Sequence, residues 1–204
     1  MGHKFADILF SEPVKAIQSA MNSRASFAKW ETRKDFNNRI DERVATFVAA
    51  RDSFYIGSVS PDGWPYIQHR GGPAGFLKVL DDKHLGFADY SGNRQYISAG
   101  HFSVNDRVAL FLMDYPNQRR LKILGHIEQV DPANTELLAR LSDAEYPAQI
   151  ERAYIITVAA YDWNCSQHIT QRFDLGTIEA HVAPLLAELA ELKRKLTATT
   201  RENS

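Results

Sequence analysis

The run Phe87-Ala88-Asp89-Tyr90-Ser91-Gly92-Asn93-Arg94-Gln95-Tyr96 sets a strand end, a glycine turn and a group of donors side by side, an arrangement that can hold a phosphate. Arg94 carries the chemistry, because a guanidinium is planar, always charged and able to donate two parallel hydrogen bonds to a dianion. Asn93 and Gln95 flank it with neutral donors, and Ser91-Gly92 lets the backbone turn freely. If Gln95 to Ala99 opens a helix, its free amides add to the same site. The ten residues also read as a surface turn with a solvated arginine, and taken alone they favour that reading.

The elements that must position this turn follow from periodicity. Ser11-Glu12-Pro13 leads into Val14, Ile17 and Met21 at helical spacing, and Asp41 to Arg51 repeats the pattern through Val44, Phe47 and Val48. Short apolar or β-branched runs then take over at Phe54–Ser60, Tyr66–Arg70, Phe76–Leu80 and Leu85–Ala88, separated by Pro61-Asp62-Gly63, Gly71-Gly72-Pro73 and Asp81-Asp82-Lys83. Arg107–Asp114 and Arg120–Val130 form a further hairpin around Tyr115-Pro116-Asn117, expected to be central. A short helix at Asn134–Leu141, a strand at Ala153–Ala160 and a leucine stripe at Val182, Leu185, Leu186, Leu189, Leu192 and Leu196 complete the reading. The stripe is read as packing against the domain or a second subunit. Six or seven strands with helices at both ends predict an α+β split β-barrel of mostly antiparallel strands, and no glycine-rich dinucleotide or P-loop motif appears.

A chain of 204 residues with 44% apolar composition buries a full core and is most simply one domain, 1–204: a helical segment 1–52, a barrel 53–173 and a helix 177–197. Its 24 basic and 25 acidic residues nearly cancel, which argues against nucleic acid as a partner. The single Cys165 excludes an internal disulfide and is consistent with the cytoplasm. Lys4, Asp7, Glu12 and Lys15 interrupt the N-terminal region, so neither a signal peptide nor a membrane span is expected. Cys165 and His168 lack the further ligands of a tetrahedral zinc site, and no metal is predicted.

Four motifs in order, Gly63-Trp64-Pro65-Tyr66-Ile67-Gln68-His69-Arg70, Asn93-Arg94-Gln95, Asp106-Arg107-Val108 and Arg119-Arg120-Leu121-Lys122, resemble the pyridoxamine 5'-phosphate oxidase-like family of FMN-binding split barrels. The resemblance covers about Phe54 to Phe173 and is closest to an uncharacterised flavin-nucleotide-binding branch. There Asp162-Trp163-Asn164-Cys165-Ser166-Gln167-His168-Ile169, followed by Arg172-Phe173, is the more specific motif.

The resemblance implies a site. Gln68, His69, Arg70 and Gly71 match the strand along the flavin and its ribityl chain, and Ala88 and Asp89 match the neighbouring strand end. Asn93, Arg94 and Gln95 fall where the family surrounds the FMN phosphate, with glutamine in place of a lysine at Gln95. Arg70 is the candidate substitute for that lost cation. Arg120 takes the place of a family glutamine reaching the ring from the partner subunit, where its charge would stabilise the anionic reduced flavin. Trp163 and Arg172 match the aromatic and arginine brought across the dimer interface, and Gln167 is a further donor to the ring edge. Trp163 reads almost equally well as a core aromatic at a strand end.

The implied protein is a cytoplasmic homodimer with FMN at the subunit interface, an oxidoreductase of unknown substrate. Two alternatives stand beside it: a flavin-binding module for storage or sensing without turnover, and a split barrel using haem or a deazaflavin. Ser166 to Phe173 does not reproduce the arginine and histidine pair by which the true oxidase recognises its vitamin substrate, so vitamin B6 oxidation is not expected.

Overall fold

The computed structural model describes residues 3–33, 37–163 and 167–202, the last five as backbone. Four helices come first, α1 (Lys4–Leu9), α2 (Glu12–Ala20), α3 (Arg24–Glu31) and α4 (Glu42–Ala49). Strands β1 (Ser53–Val59), β2 (Pro65–Gly71), β3 (Lys78–Val79) and β4 (His84–Tyr90) follow, then the short α5 (Ile97–Phe102). The hairpin β5 (Arg107–Asp114) and β6 (Arg119–Gln129), helix α6 (Thr135–Leu141), strand β7 (Ile150–Trp163) and helix α7 (Leu175–Glu202) complete the chain. Two compact units result, one of residues 1–114 and 119–166 and one of 115–118 and 167–204. Among the described residues no helix is long and apolar enough to cross a membrane.

The seven strands form one antiparallel sheet in the order β2-β1-β5-β6-β7-β4-β3, with the β5–β6 hairpin in its middle as its sequence pattern predicts. Alternation sets the faces: Phe54, Ile56 and Ser58 of β1 point inward, as do Val108, Leu110 and Leu112 of β5. Helix α4 covers this interior. Asp41 caps it by accepting a 2.8 Å hydrogen bond from the Val44 amide, and Val44, Phe47 and Val48 are its buried stripe.

The sheet curls until its two ends meet. Phe54 of β1 packs edge-to-face on Phe87 of β4 with ring centroids 5.3 Å apart, although three strands, β5, β6 and β7, lie between β1 and β4 in the sheet order. Arg70 of β2 completes the closure through an ion pair with Asp89 of β4. This is the curvature of a split barrel.

Two elements differ from their sequence patterns. The run Phe76–Leu80 predicts a strand, yet only Lys78–Val79 pair with a neighbour, because Phe76 and Leu77 are wholly buried as a plug stacked on Phe54. Strand β7 is longer than Ala153–Ala160 at both ends, since it is held by β6 on one side and β4 on the other.

Candidate functional site

A cleft of about 130 Å³ opens where β2, β4, β7 and the loop before α5 converge. Only one face of β2 reaches it. Tyr66, Gln68 and Arg70 are half-buried on that face, whereas Pro65, Ile67 and His69 are exposed on the other. Gln68 is fixed there: its Oε1 accepts a 2.6 Å hydrogen bond from the Ser98 hydroxyl of α5.

Asp89 forms the floor with its neighbours. It is buried at the end of β4, ion-paired with Arg70 and 3.5 Å from Nε of Arg152, its cross-strand partner on β7. Burial pushes its carboxyl above the usual range, and the two guanidinium groups offset only part of that. Arg152 also pairs with Glu151 at 2.8 Å. Nε of Arg70 is sealed from solvent and has no hydrogen-bond acceptor.

Asn93, Arg94 and Gln95 line the mouth and are exposed. Nε of Arg94 donates to the Tyr96 hydroxyl at 3.0 Å, which in turn donates to Glu151 at 3.3 Å. The tightness of the turn does not come from Gly92, as its type predicts. Arg94 and Tyr96 take the left-handed backbone, at φ 56° and 54°, a conformation that side chains other than glycine adopt at a cost. Nor does Gln95 open a helix: α5 begins at Ile97, and the Gln95 amide is taken up by Asn93 Oδ1 at 3.1 Å.

The remaining candidates lie elsewhere. Gly71 ends β2, and Ala88 is buried beside Asp89 on the strand's other face; neither lines the cleft, and His69 packs its ring on Tyr55 at 5.5 Å. Arg120 stands on the outer face of β6, its guanidinium 5.7 Å from the Phe111 ring and its buried Nε without a partner. Trp163 lines a wider hollow of about 490 Å³ with Arg43, Phe47 and Arg119. Phe47 meets it edge-to-face at 4.9 Å and the Arg43 guanidinium lies 4.3 Å above its ring, so within this chain it is a strand-end aromatic. Gln167 and Arg172 belong to the second unit, where both are exposed and Arg172 lies 4.9 Å over Tyr115. Cys165 lies outside the described residues, with Asn164 and Ser166.

The polar cleft residues Tyr96, which accepts from Arg94, Ser98, Glu151 and Arg152 are among those that escaped the sequence reading. The signal for Arg152 was the buried Asp89, which needs a cation on the adjoining strand. No local pattern marks Ser98.

Three guanidinium groups and two carboxylates leave the cleft with one positive charge, and the exposed amides of Asn93 and Gln95 add donors at its mouth. That donor set suits a phosphate. The volume is below the roughly 300–1,000 Å³ of a complete small-molecule site, so the cleft encloses only part of a nucleotide-sized ligand.

An antiparallel sheet curled on itself and flanked by helices, with an anion cleft at its seam, defines an α+β split barrel. Residues 40–164 match the sequence model of the pyridoxamine 5'-phosphate oxidase family, and the chain belongs to that family of flavin-binding, oxidoreductase-like proteins. Two crystal structures of tagged HupZ from Group A Streptococcus share the fold. One superposes with a TM-score of 0.50 at 15% identity over 66% of this chain and 99% of that one. A single-site variant gives 0.50 at 14% identity over 61% and 99%. An FMN-binding protein from Syntrophomonas wolfei aligns with a TM-score of 0.46 at 9% identity over 74% and 97%. No functionally curated protein matches the chain.

Proposed function

We propose that this chain binds FMN, with the phosphate in the Arg94 cleft, and acts as an oxidoreductase in a reducing compartment such as the cytoplasm. The observation that carries the reading is the convergence of Arg70, Arg94 and Arg152 from three separate elements on one cleft of a flavin-binding family. Arg94 and Asn93 hold the phosphate at the mouth. Arg70 and Arg152 supply the field behind it, moderated by Asp89 and Glu151. Gln68, its Oε1 engaged by Ser98, presents its amide N–H groups toward the ribityl chain. When bound, the isoalloxazine supplies hydride and single-electron chemistry.

A cleft of about 130 Å³ leaves most of the ring uncovered, and a second copy of the chain is the cover we propose. Trp163, Arg120, Gln167 and Arg172 of that copy are the residues to wall and tune the ring. A cation such as Arg120 near the ring's N1–C2 edge favours the anionic reduced flavin.

Titration of the purified protein with FMN, followed by quenching of flavin fluorescence, tests the reading. Saturable quenching and co-elution of yellow colour support it. Protein that ignores FMN and instead takes up haem or a deazaflavin overturns it. Anaerobic mixing of the loaded protein with NADH or NADPH then separates the enzyme from a storage or sensing module: bleaching marks the enzyme, and inertness with every donor and acceptor tried marks the module.

A further inference from the structure

Helix α7 carries apolar residues at Leu175, Ile178, Val182, Leu185, Leu189, Leu192 and Leu196. The steps between them alternate three and four without a break, which is the a/d spacing of a coiled coil. These seven side chains are 39% to 70% exposed, so the seam is laid bare along its length. At 28 residues the helix is about 42 Å long. A bare seam of that length is far more apolar surface than a solvated helix face needs.

We propose that α7 pairs in parallel, in register, with α7 of a second copy of this chain. Charge suits a second copy as the partner, and one like-charge contact separates the two directions. With Leu175, Val182, Leu189 and Leu196 at a positions, Glu188 falls at g and Lys193 at e. A parallel in-register pair therefore sets Glu188 against Lys193 of the partner subunit, once on each side of the seam. The antiparallel alignment that matches Val182 with Leu192 and Leu189 with Leu185 would also make a Glu–Lys contact, Glu179 to Lys193, but would set Glu188 against its own copy. Leu185 and Leu192 at d suit a two-stranded coil.

Pro184 fits the same geometry. It lies inside the helix, where its missing N–H removes one backbone hydrogen bond. It falls at a c position, on the side turned from the seam, where a proline bends the helix toward its apolar face, as supercoiling requires. The back of the helix at Ala180, Ala183, Ala187 and Ala190 is alanine, the strongest helix former, which supports helix without offering a second seam. The pairing is independent of the flavin reading.

Disulfide trapping in the full-length chain tests it. In a Cys165→Ser background, Leu192→Cys and Leu185→Cys place a thiol at d, and Arg194→Cys places one at f. Mild oxidation should convert both d variants to a species of twice the chain mass on a non-reducing gel and leave the f variant single. Equal cross-linking at d and f, or none at d in variants whose far-ultraviolet helix signal is intact, overturns the proposal. Mixed Ile178→Cys and Leu196→Cys chains that link to each other in preference to themselves overturn the parallel direction.

Discussion

Arg70 and Asp89 join strands that the sheet order places five positions apart, so their ion pair spans the seam of the barrel and not a ladder within it. The side chains are only 15% and 8% exposed. Removing one partner of a buried pair strands the other charge, although Asp89 would retain Arg152. Arg70→Ala is therefore expected to lower stability by about 1.5–3 kcal/mol, the range for a hydrogen bond to a charged group. A lowered urea midpoint with unchanged slope is the expected outcome; an unchanged midpoint would show that the seam closes without it.

The same pair gives a pH signature. Asp89 titrates above its ordinary value in the fold because burial outweighs Arg70 and Arg152. Below the unfolded value both states carry the protonated acid, and the stability from this group is fully present. As pH rises through the raised folded value, the carboxyl must ionise inside the protein and that stability is lost. Arg70→Ala raises the folded value further, so its deficit should be small near pH 4 and grow toward neutrality. Parallel urea midpoints of the variant and the parent across that range check the sign.

Gly125 tests the register of the sheet. The β6–β7 ladder shifts between Leu124 and Gly125, and a Cβ at Gly125 would lie 2.7 Å from the Thr157 carbonyl oxygen and 2.7 Å from the Ile156 side chain. The carbonyl is backbone and cannot rotate aside. Gly125→Ala should cost about 1–3 kcal/mol, the usual penalty of overpacking, read as a drop in melting temperature.

How much of this could be read in advance depended on whether the cause was local. The β1–β2 and β5–β6 hairpins were legible because period-two alternation and turn residues are local signals; Gln68 and Arg70 came from a motif on β2, and Asn93 and Arg94 from the turn that follows β4. The start of β7 was not: Glu151 and Arg152 interrupt its apolar pattern, and this end is strand because β4 pairs with it, Asp89 opposite Arg152 and Tyr90 opposite Ile150. The seam that brings β2 to β4 is a property of the closed sheet, so neither the Arg70–Asp89 pair nor the Ser98–Gln68 bond has a sequence signature. Glycine chemistry misled at Gly92, because the loop places its left-handed residues at Arg94 and Tyr96.

Arg94 separates function from strain. Its guanidinium is the exposed donor at the cleft mouth, and its backbone sits at φ 56°. Arg94→Ala should weaken FMN binding roughly ten- to hundredfold, as loss of a charge-assisted contact does. Arg94→Gly should lose as much affinity while leaving the melting temperature equal to or above that of the alanine variant, since glycine takes the left-handed region freely. Fluorescence titration and thermal unfolding of the two variants together check it; equal FMN affinity in parent and variants would remove Arg94 from the phosphate site.

Gln95→Lys adds a cation where the cleft has one net positive charge, beside Asn93 and Arg94 at the mouth. Because Gln95 is exposed, the new ammonium pays little desolvation and its attraction for a phosphate is screened by salt. FMN affinity should rise severalfold at low ionic strength, and the gain should shrink as salt is added, since the Debye length falls to about 3 Å at 1 M. Riboflavin, which lacks the phosphate, should bind parent and variant equally. A gain for riboflavin as large as for FMN would place the new charge near the ring and not the phosphate, and would move the anion site away from the Arg94 turn.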